Sequence, residues 1–439
     1  MSDKLSRHKG KVWAIPKGNI AISPHCELVQ GAKYSLVIDF EKEGLHRINS
    51  SASKILRLSK KGLSIQDILE ETGMDSVSFA DFIQEMKSKE LITIQHKPGV
   101  EKKIHLNRLD QKLSAELHSI WIEVTSRCNL RCIHCYADDR ESIDFEPKVD
   151  RILDWLGKAS ALGCRRVQFT GGECTLRKDI CDCIRHAKEI GFEHIEVFTN
   201  GTNLTEALIR FFAENKINVT LSLYSFNSTT HDAISGLPGS HRMTLNGLKQ
   251  LLAYQVPLRG SIIAMKQNEK ELQTTQKFLH ELGVRSGPAD PVRPCGRGVN
   301  LKHWPEKYGL SFMRTKPQFI VDNSSFQKNL HWNSCWFGKA AITAKGQVIP
   351  CVFARDLIAG NLYKESLKSI VLGSLLEYWR LTRDKISICR DCEYRYLCND
   401  CRPWAYGYTG NLFAKSPTCT YDPYEGEWGP SEIALKCKR

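Results

Sequence analysis

The chain has 439 residues, of which 41% are hydrophobic and 25% charged, a balance typical of globular proteins that excludes a disordered or fibrous chain. At roughly 150 residues per domain, this length predicts about three domains. The 62 Lys and Arg residues outnumber the 49 Asp and Glu residues, which gives a formal net charge of +13. A basic chain can bind nucleic acid, an acidic peptide or another anionic partner, so the charge alone does not choose among them.

The start of the chain and its cysteine content predict the compartment. Residues 1–11 are polar and basic, and no stretch approaches the ~18 consecutive apolar residues of a membrane-spanning helix. We therefore expect a cytoplasmic protein with no membrane partner. Because disulfides are disfavoured in a reducing cytosol, the 17 cysteines predict metal or redox chemistry.

Residues 1–103 have the pattern of a small winged-helix domain followed by a linker. Apolar and polar residues alternate in short runs over residues 12–49, as in antiparallel strands. Residues 51–94 predict three short helices and a final strand, and Ser64 with Asp67 resembles a capping box at the start of the second helix. Residues 96–103 are polar and interrupted by Pro and Gly, which is typical of a linker.

Residues 104–300 alternate between strands and helices. Six strand–helix units in succession indicate a parallel sheet with right-handed crossovers, and hence an α/β barrel or part of one. The predicted strands are Ile120–Val124, Arg166–Thr170, His194–Thr199, Asn218–Leu223, Leu258–Ala264 and Val284–Asp290. Residues 301–439 are less periodic and contain eight cysteines, so we expect a third domain organised by metal rather than by an apolar core.

A loop with three cysteines, Cys128, Cys132 and Cys135, follows the first barrel strand. A zinc site usually requires a fourth protein ligand, and His134 lies between two of the cysteines, where its side chain would point away. Three thiolates without a fourth suit an iron–sulfur cluster that keeps one iron open. The end of a barrel strand is also where such folds carry out catalysis.

This C-x3-C-x2-C loop resembles that of radical S-adenosylmethionine (SAM) enzymes. The resemblance implies that its cysteines hold a [4Fe–4S] cluster whose open iron binds SAM. It also implies that an electron, from a donor such as flavodoxin or ferredoxin, converts SAM to a 5′-deoxyadenosyl radical. The further SAM contacts that it implies are Gly171, Gly172 and Glu173 at the amino group, Ser222 at the end of the fourth strand, and Tyr136 beside the adenine. Tyr224 departs from the family pattern, which usually has Asp at that position.

The C-terminal cysteines form a second set. Their x2–x5–x2 run, from Cys389 to Cys401, is a zinc-ribbon pattern when taken alone. The whole set resembles the SPASM extension of peptide-modifying radical SAM enzymes, which implies two auxiliary [4Fe–4S] clusters. The resemblance implies the ligands Cys389, Cys392, Cys398 and Cys419 for one cluster, and Cys335, Cys351 and Cys401 for the other.

Two alternatives remain for the fourth position of the latter cluster. Cys295 is one candidate, with Cys437 a weaker one, and an open iron that takes a substrate thiolate is the competing possibility. The five other cysteines are expected to be buried thiols that behave as small apolar residues: Cys26, Cys164, Cys174, Cys181 and Cys183.

In front of such a barrel, the winged helix resembles the peptide-recognition domain of pathways that modify ribosomally made peptides. The resemblance implies that a leader peptide adds as a strand in a groove between Tyr34–Asp39 and Val77–Ser88. We therefore predict a radical SAM/SPASM peptide maturase of the sactipeptide type, which joins a Cys sulfur to a carbon of a ribosomal precursor peptide and has no nucleic-acid partner.

Two alternatives belong to other reactions or classes. A carbon–carbon crosslinking or formylglycine-forming maturase would use the same domains. A zinc-dependent DNA-binding regulator would combine the winged helix with zinc sites, but it has no need of the open cysteine loop or of Gly171-Gly172-Glu173.

Overall fold

The structure is a computed structural model that describes residues 15–95, 116–137, 145–306, 319–399 and 401–429. The predicted linker at residues 96–103 and Cys437 lie outside the described residues. Over these ranges, the structure contains no helix with the length and apolar character needed to cross a membrane.

The N-terminal unit contains the three helices and the final strand that the sequence predicts. Its elements are β1 (Asn19–Ile22), β2 (Cys26–Gln30), β3 (Ser35–Asp39), β4 (Gly44–Ile48), α1 (Ser50–Lys60), α2 (Ile65–Thr72), α3 (Ser76–Ser88) and β5 (Ile92–Gln95). The capping box of α2 is present, since Ser64 Oγ accepts a hydrogen bond from Asp67 N at 3.1 Å and the Asp67 carboxylate accepts one from Ser64 N.

The strand pairing of this unit corrects the predicted peptide groove. β1 pairs with β5, while β2, β3 and β4 form a separate antiparallel sheet in that order. Because β3 is hydrogen-bonded on both sides, Tyr34–Asp39 offers no free edge to which a peptide strand could add. The sequence predicted the strands, but their spatial order depends on pairings that the alternation pattern does not contain.

The central unit is the expected α/β fold with six parallel strands in a partial barrel. Its strands are β6 (Ser119–Thr125), β7 (Arg166–Gly171), β8 (His194–Thr199), β9 (Asn218–Ser222), β10 (Leu258–Ser261) and β12 (Arg285–Ser286), and each pairs in parallel with the next. A short parallel ribbon joins β11 (Ile263–Ala264) to β13 (Asp290–Pro291). The helices are α4 (Val149–Ala161), α5 (Ile180–Glu189), α6 (Glu206–Glu214), α7 (Ser228–Ser235), α8 (Ser240–Ala253) and α9 (Leu272–Glu281).

The barrel sheet continues into the C-terminal region. β14 (Lys339–Ile342) pairs in parallel with β6, and β15 (Gln347–Ile349) and β16 (Gly360–Asn361) extend the sheet antiparallel. The sheet therefore crosses the predicted division at residue 301. The remaining elements are α10 (Asn323–His331), α11 (Leu367–Leu372), α12 (Ser374–Trp379), α13 (Arg402–Thr409), β17 (Tyr421–Asp422) and β18 (Glu427–Trp428).

The N-terminal sheet packs against the C-terminal region rather than standing apart from it. Leu36 of β3 lies in one apolar cluster with Tyr394 and Tyr421. Ala32 N also donates a hydrogen bond to Asp391 O at 2.8 Å. Apolar contact and backbone pairing together hold the first domain beside the cysteine-rich one.

Candidate active site

One cavity, of about 380 Å³, collects every residue predicted to serve the first cysteine loop and SAM. Its volume falls within the range of small-molecule sites. These residues come from the ends of different parallel strands, which meet at the same edge of a sheet. The predicted residues in its wall are Cys128, Cys132, Cys135, Tyr136, Gly171, Gly172, Glu173 and Ser222.

The cysteine loop is held by a segment from the far end of the barrel. Arg297 donates a hydrogen bond from Nε to Cys132 O at 2.8 Å and another from its backbone N to Cys135 O at 2.9 Å. The neighbouring Gly296 has φ +52°, and a Cβ there would lie 2.3 Å from Cys135 O. Glycine is thus required for this close approach.

The thiols of the loop fit a cluster better than a single zinc ion. Sulfurs bound to zinc at about 2.3 Å in a tetrahedron lie about 3.8 Å apart. Among the described residues, one group of three His, Cys, Asp or Glu side chains has ligand atoms that all lie within 4.8 Å of one another. That group is in the N-terminal domain, and the three cysteines of this loop do not form such a group. The loop's three sulfurs are therefore spread more widely than one zinc ion requires.

Burial sets the protonation of these thiols before any metal binds. It raises the pKa of Cys128 to about 11 and that of Cys132 to about 12. A coordinating thiol is deprotonated outright, so loading the site must release protons. The donor set, three clustered thiols beside a cavity that can take a cofactor, fits an iron–sulfur cluster with one open iron.

Gly171 and Gly172 pack directly on the backbone that leads into the cysteine loop. Gly171 has φ +137°, and a Cβ there would lie 2.2 Å from Thr125 O. A Cβ on Gly172 would lie 2.2 Å from Arg127 O. Gly172 N and Glu173 N donate to these two carbonyls, both at 2.8 Å. The two glycines therefore let β7 and the cysteine loop approach without a side chain between them.

Glu173 joins the ends of β7 and β8. Its buried Oε1 accepts hydrogen bonds from Thr175 N at 3.0 Å, from Thr175 Oγ1 at 2.7 Å and from Thr199 Oγ1 at 2.7 Å, and its Oε2 accepts one from Asn200 N at 2.7 Å. Burial raises the pKa of this carboxyl, and the hydrogen bonds act in the opposite direction. A carboxylate oxygen can accept two hydrogen bonds, so Oε2 can also receive an amino group.

Tyr136 lies where the cavity meets the C-terminal region. Its hydroxyl lies 3.1 Å from Thr170 Oγ1, and its ring meets Phe353 edge-on with centroids 5.3 Å apart. Phe353 also lines the cavity, although it lies in the cysteine-rich C-terminal region of the sequence. Its position two residues after Cys351 was the only signal that could have indicated this.

Other cavity residues were not predicted, among them Tyr224, Asn200, Arg293 and Asp290. Tyr224 places its hydroxyl 3.5 Å from Sγ of Cys132, a predicted cluster ligand, which is within hydrogen-bonding reach. Asn200 and Arg293 also line the cavity, as does Asp290. The departure of Tyr224 from the family's Asp was visible in the sequence, but its contact with Cys132 depends on the approach of β9 to the loop.

The two groups of C-terminal cysteines that the resemblance implies stay a prediction. Burial raises the pKa of Cys351, and the nearby Cys401 and Cys335 raise it further. Burial raises the pKa of Cys295 to about 12. The residues on either side of Cys295 touch both sets: a Cβ on Gly296 would lie 2.3 Å from Cys135 O, and Pro294 O would lie 2.1 Å from a Cβ on Gly407 of α13, the helix that follows Cys401.

The second group lies at the other end of the same region. Cys392 interacts electrostatically with Cys398 and Cys389, and burial raises its pKa. Cys419 packs against the same apolar cluster as Cys392. The ligand roles of the individual cysteines stay predictions.

Comparison with known protein families identifies two of the domains. The radical SAM superfamily model matches residues 122–279, and the SPASM model, an iron–sulfur cluster-binding domain, matches residues 335–393. The chain contains a radical SAM domain and a SPASM domain. It therefore uses SAM and iron–sulfur clusters, in agreement with the cavity and with both cysteine sets.

Several characterised proteins are similar to this radical SAM/SPASM protein. The AdoMet-dependent heme synthase of Methanosarcina barkeri is 25% identical over 337 residues, which are 69% of this chain and 95% of that protein. The antilisterial bacteriocin subtilosin biosynthesis protein AlbA of Bacillus subtilis is 25% identical over 328 residues, 70% of this chain and 71% of AlbA. The crystal structure of Streptococcus suis SuiB bound to its precursor peptide SuiA shares the fold, with a TM-score of 0.57 and 15% identity over 91% of this chain and 99% of that one.

These similarities establish a radical SAM enzyme fold but not the substrate. A zinc-dependent DNA-binding regulator does not account for the two domain matches. The relatives act on different kinds of substrate, so the reaction of this chain must be argued from its own cavity.

Proposed function

We propose that this radical SAM enzyme modifies a ribosomally synthesised precursor peptide by joining a cysteine sulfur to a carbon. The observation that carries the proposal is the adjacency of the two cysteine sets, since Cys132 of the first loop and Cys401 of the second set pack against the same apolar cluster. An enzyme that only generated the radical would not need a second set beside its cavity. The similarity to AlbA and to the peptide-bound SuiB supports a peptide as the substrate.

The cavity walls hold the reacting groups and exclude water. When bound, the cluster and SAM supply a 5′-deoxyadenosyl radical, which removes a hydrogen atom from a carbon of the peptide. Gly171 and Gly172 fix the loop that would carry the cluster, and Glu173 holds the strand ends that would receive the SAM amino group. Tyr136, packed against Phe353, would line the side of the cavity toward the C-terminal domain.

The substrate would enter between the barrel and the C-terminal domain. Arg293 lies at this wall with its guanidinium 5.4 Å from the centre of the Phe353 ring and 6.0 Å from that of Trp404. Such a cation held over aromatic faces can orient peptide carbonyls or an acidic side chain. The first auxiliary set, with Cys351 two residues from Phe353, would then face the same peptide. We assign its fourth ligand to Cys295.

Leader recognition would use the open edge of the N-terminal sheet. Within the described residues β4 pairs only with β3, so its other edge can accept a peptide strand. Helix α3 offers an exposed apolar contact in Val77, whose exposed fraction is 63%. We propose that the leader adds to β4 and packs on α3, in place of the groove along Tyr34–Asp39. An electron donor such as flavodoxin or ferredoxin remains part of the proposal.

The test uses the reconstituted enzyme with SAM, a reductant and the precursor peptide encoded beside its gene. A thioether removes two hydrogen atoms from the peptide, one from the thiol and one from carbon. We expect that mass loss together with one fewer thiol that reacts with an alkylating agent, and none of it in a variant with Cys128, Cys132 and Cys135 replaced by Ala.

Other products would support other reactions. The same mass loss with all thiols still reactive would indicate a carbon–carbon crosslink. Loss of sulfur from a cysteine would indicate formylglycine formation. Formation of 5′-deoxyadenosine with no change in any peptide would reject a peptide maturase and favour a small-molecule substrate.

A further inference from the structure

A group of metal-binding side chains lies in the N-terminal domain and includes none of the cysteines that are predicted to bind iron–sulfur clusters. Cys26 begins β2 and Asp39 ends β3, and the two residues are paired across the strands. His25 precedes Cys26, and one ligand atom from each of the three side chains lies within 4.8 Å of the others. The β2–β3 pairing thus brings together residues that are 13 positions apart.

Two buried polar atoms in this group have no hydrogen-bond partner among the described residues. The Asp39 side chain is 0% exposed, and its Oδ1 accepts bonds from Glu41 N and Lys42 N, both at 3.0 Å. Its second oxygen, Oδ2, is buried with no such partner in the described ranges, as is His25 Nε2, which lies 3.9 Å from Asp39 Oδ1. Buried polar atoms in folded proteins nearly always have partners, so these two require an explanation.

The chemistry of the three side chains indicates which partner would satisfy them. A thiolate, an imidazole and a carboxylate form a mixed sulfur, nitrogen and oxygen set that suits Zn²⁺, with water in the fourth position. The Glu41 carboxylate lies 3.8 Å from His25 Nδ1, on the other side of the ring. Zinc-bound histidines usually have a carboxylate or carbonyl at that second nitrogen, which fixes the ring.

We propose that His25, Cys26 and Asp39 bind a zinc ion that joins the β2–β3 hairpin at its base. Zinc at about 2.0–2.3 Å from each ligand requires the three atoms to approach to somewhat under 4 Å. The half-buried His25 can make this movement, because its side chain is 18% exposed. Burial raises the pKa of the Cys26 thiol to about 12, so zinc binding would release its proton.

The ion would fix the corner at which the two N-terminal sheets meet. Ser23 N donates to Leu91 O at 3.0 Å, which ties the start of this hairpin to the end of α3 and β5. Lys42 forms an ion pair with Glu90 at 2.5 Å on the same corner. Zinc would therefore stabilise the N-terminal domain without taking part in the radical chemistry, and this inference is independent of the proposed peptide reaction.

Metal analysis of the full-length enzyme tests the site. The protein is loaded with iron and sulfide, equilibrated with micromolar zinc, desalted, and analysed for both metals. We expect one zinc per chain in the wild type, and at least tenfold less in His25→Gln and in Asp39→Asn, with iron unchanged. Cys181→Ser, at a half-buried cysteine on α5 outside every cysteine group, is the matched control and should keep its zinc.

His25→Gln keeps the experiment decisive if replacing buried Asp39 prevents folding, because His25 lies partly at the surface. Full iron content in the variant shows that it is folded. The proposal is overturned if iron-loaded wild type retains no zinc, or if folded His25→Gln retains as much as the wild type.

Discussion

Replacing Glu173 with Gln should weaken the contact between the ends of β7 and β8. The carboxylate accepts four hydrogen bonds, and only Oε2 receives Asn200 N, at 2.7 Å. In Glu173→Gln, the side-chain NH2 group would face the Asn200 N–H, and both groups are donors. The Asn200 N–H would then have no acceptor, which costs about 1–3 kcal/mol. The three bonds to Oε1 would weaken because they lose their charge, while removal of a buried charge offsets part of the loss.

The net effect is a loss of about 2 kcal/mol in the free energy of unfolding of the barrel. For a unit of roughly 200 residues, that corresponds to a fall of about 4–8 °C in thermal midpoint. Thermal unfolding of the anaerobic, cluster-loaded enzyme measures it, and SAM affinity measured by calorimetry should fall in parallel. Glu189→Gln is the control, since Glu189 is exposed on α5.

A second variant separates support of the fold from direct contact with SAM. Thr199→Val removes one of the donors to Oε1, together with the acceptor of Gly201 N, without changing any charge. It should lower the midpoint by a smaller amount in the same direction. A Glu173→Gln enzyme that unfolds like the wild type would refute the role of this carboxylate in holding the two strand ends.

Three further predictions concern the cluster, the leader and the auxiliary set. Tyr224→Phe removes the hydroxyl that can donate a hydrogen bond to Cys132 Sγ. If that hydrogen bond is about 1 kcal/mol stronger to the reduced cluster than to the oxidised one, the reduction potential should fall by about 40 mV in a redox titration, whereas an unchanged potential would exclude the hydrogen bond. Val77→Asp should weaken leader binding to the full chain about 5–30-fold in fluorescence anisotropy, because a valine side chain contributes up to about 2 kcal/mol when it is buried. The control Leu372→Asp, at a similarly exposed residue, should leave leader binding unchanged. Cys351→Ala should still form 5′-deoxyadenosine but no crosslink, as should Cys295→Ala; full crosslinking by either soluble variant would contradict its assignment.

The barrel and its active-site loop were predictable because their signals are local. The six strands follow from alternating apolar segments, and the ends of parallel strands necessarily converge. The capping box at Ser64 and Asp67 likewise depends on residues within one turn of a helix. For the same reason the three cysteines of the first loop could be assigned to one site from their spacing alone.

The contacts between distant segments were not predictable. β14 pairs with β6 although more than 200 residues separate them, and nothing in the sequence of either strand indicates that pairing. Phe353 reaches the cavity through the same kind of long-range packing, whereas β3 lies between its sequence neighbours β2 and β4 in two successive hairpins. The His25, Cys26 and Asp39 group also depends on strand register, so Cys26 could be expected only to be a buried thiol.

The fate of a peptide hydrogen atom tests the central claim most directly. The precursor peptide is made with deuterated residues, one residue type at a time, and incubated with the cluster-loaded enzyme, SAM and reductant. The account predicts that one labelled residue transfers deuterium to 5′-deoxyadenosine, in step with the loss of two hydrogen atoms from the peptide. If 5′-deoxyadenosine forms at the same rate without the peptide and never contains deuterium, the peptide is not the substrate and the proposed function is wrong.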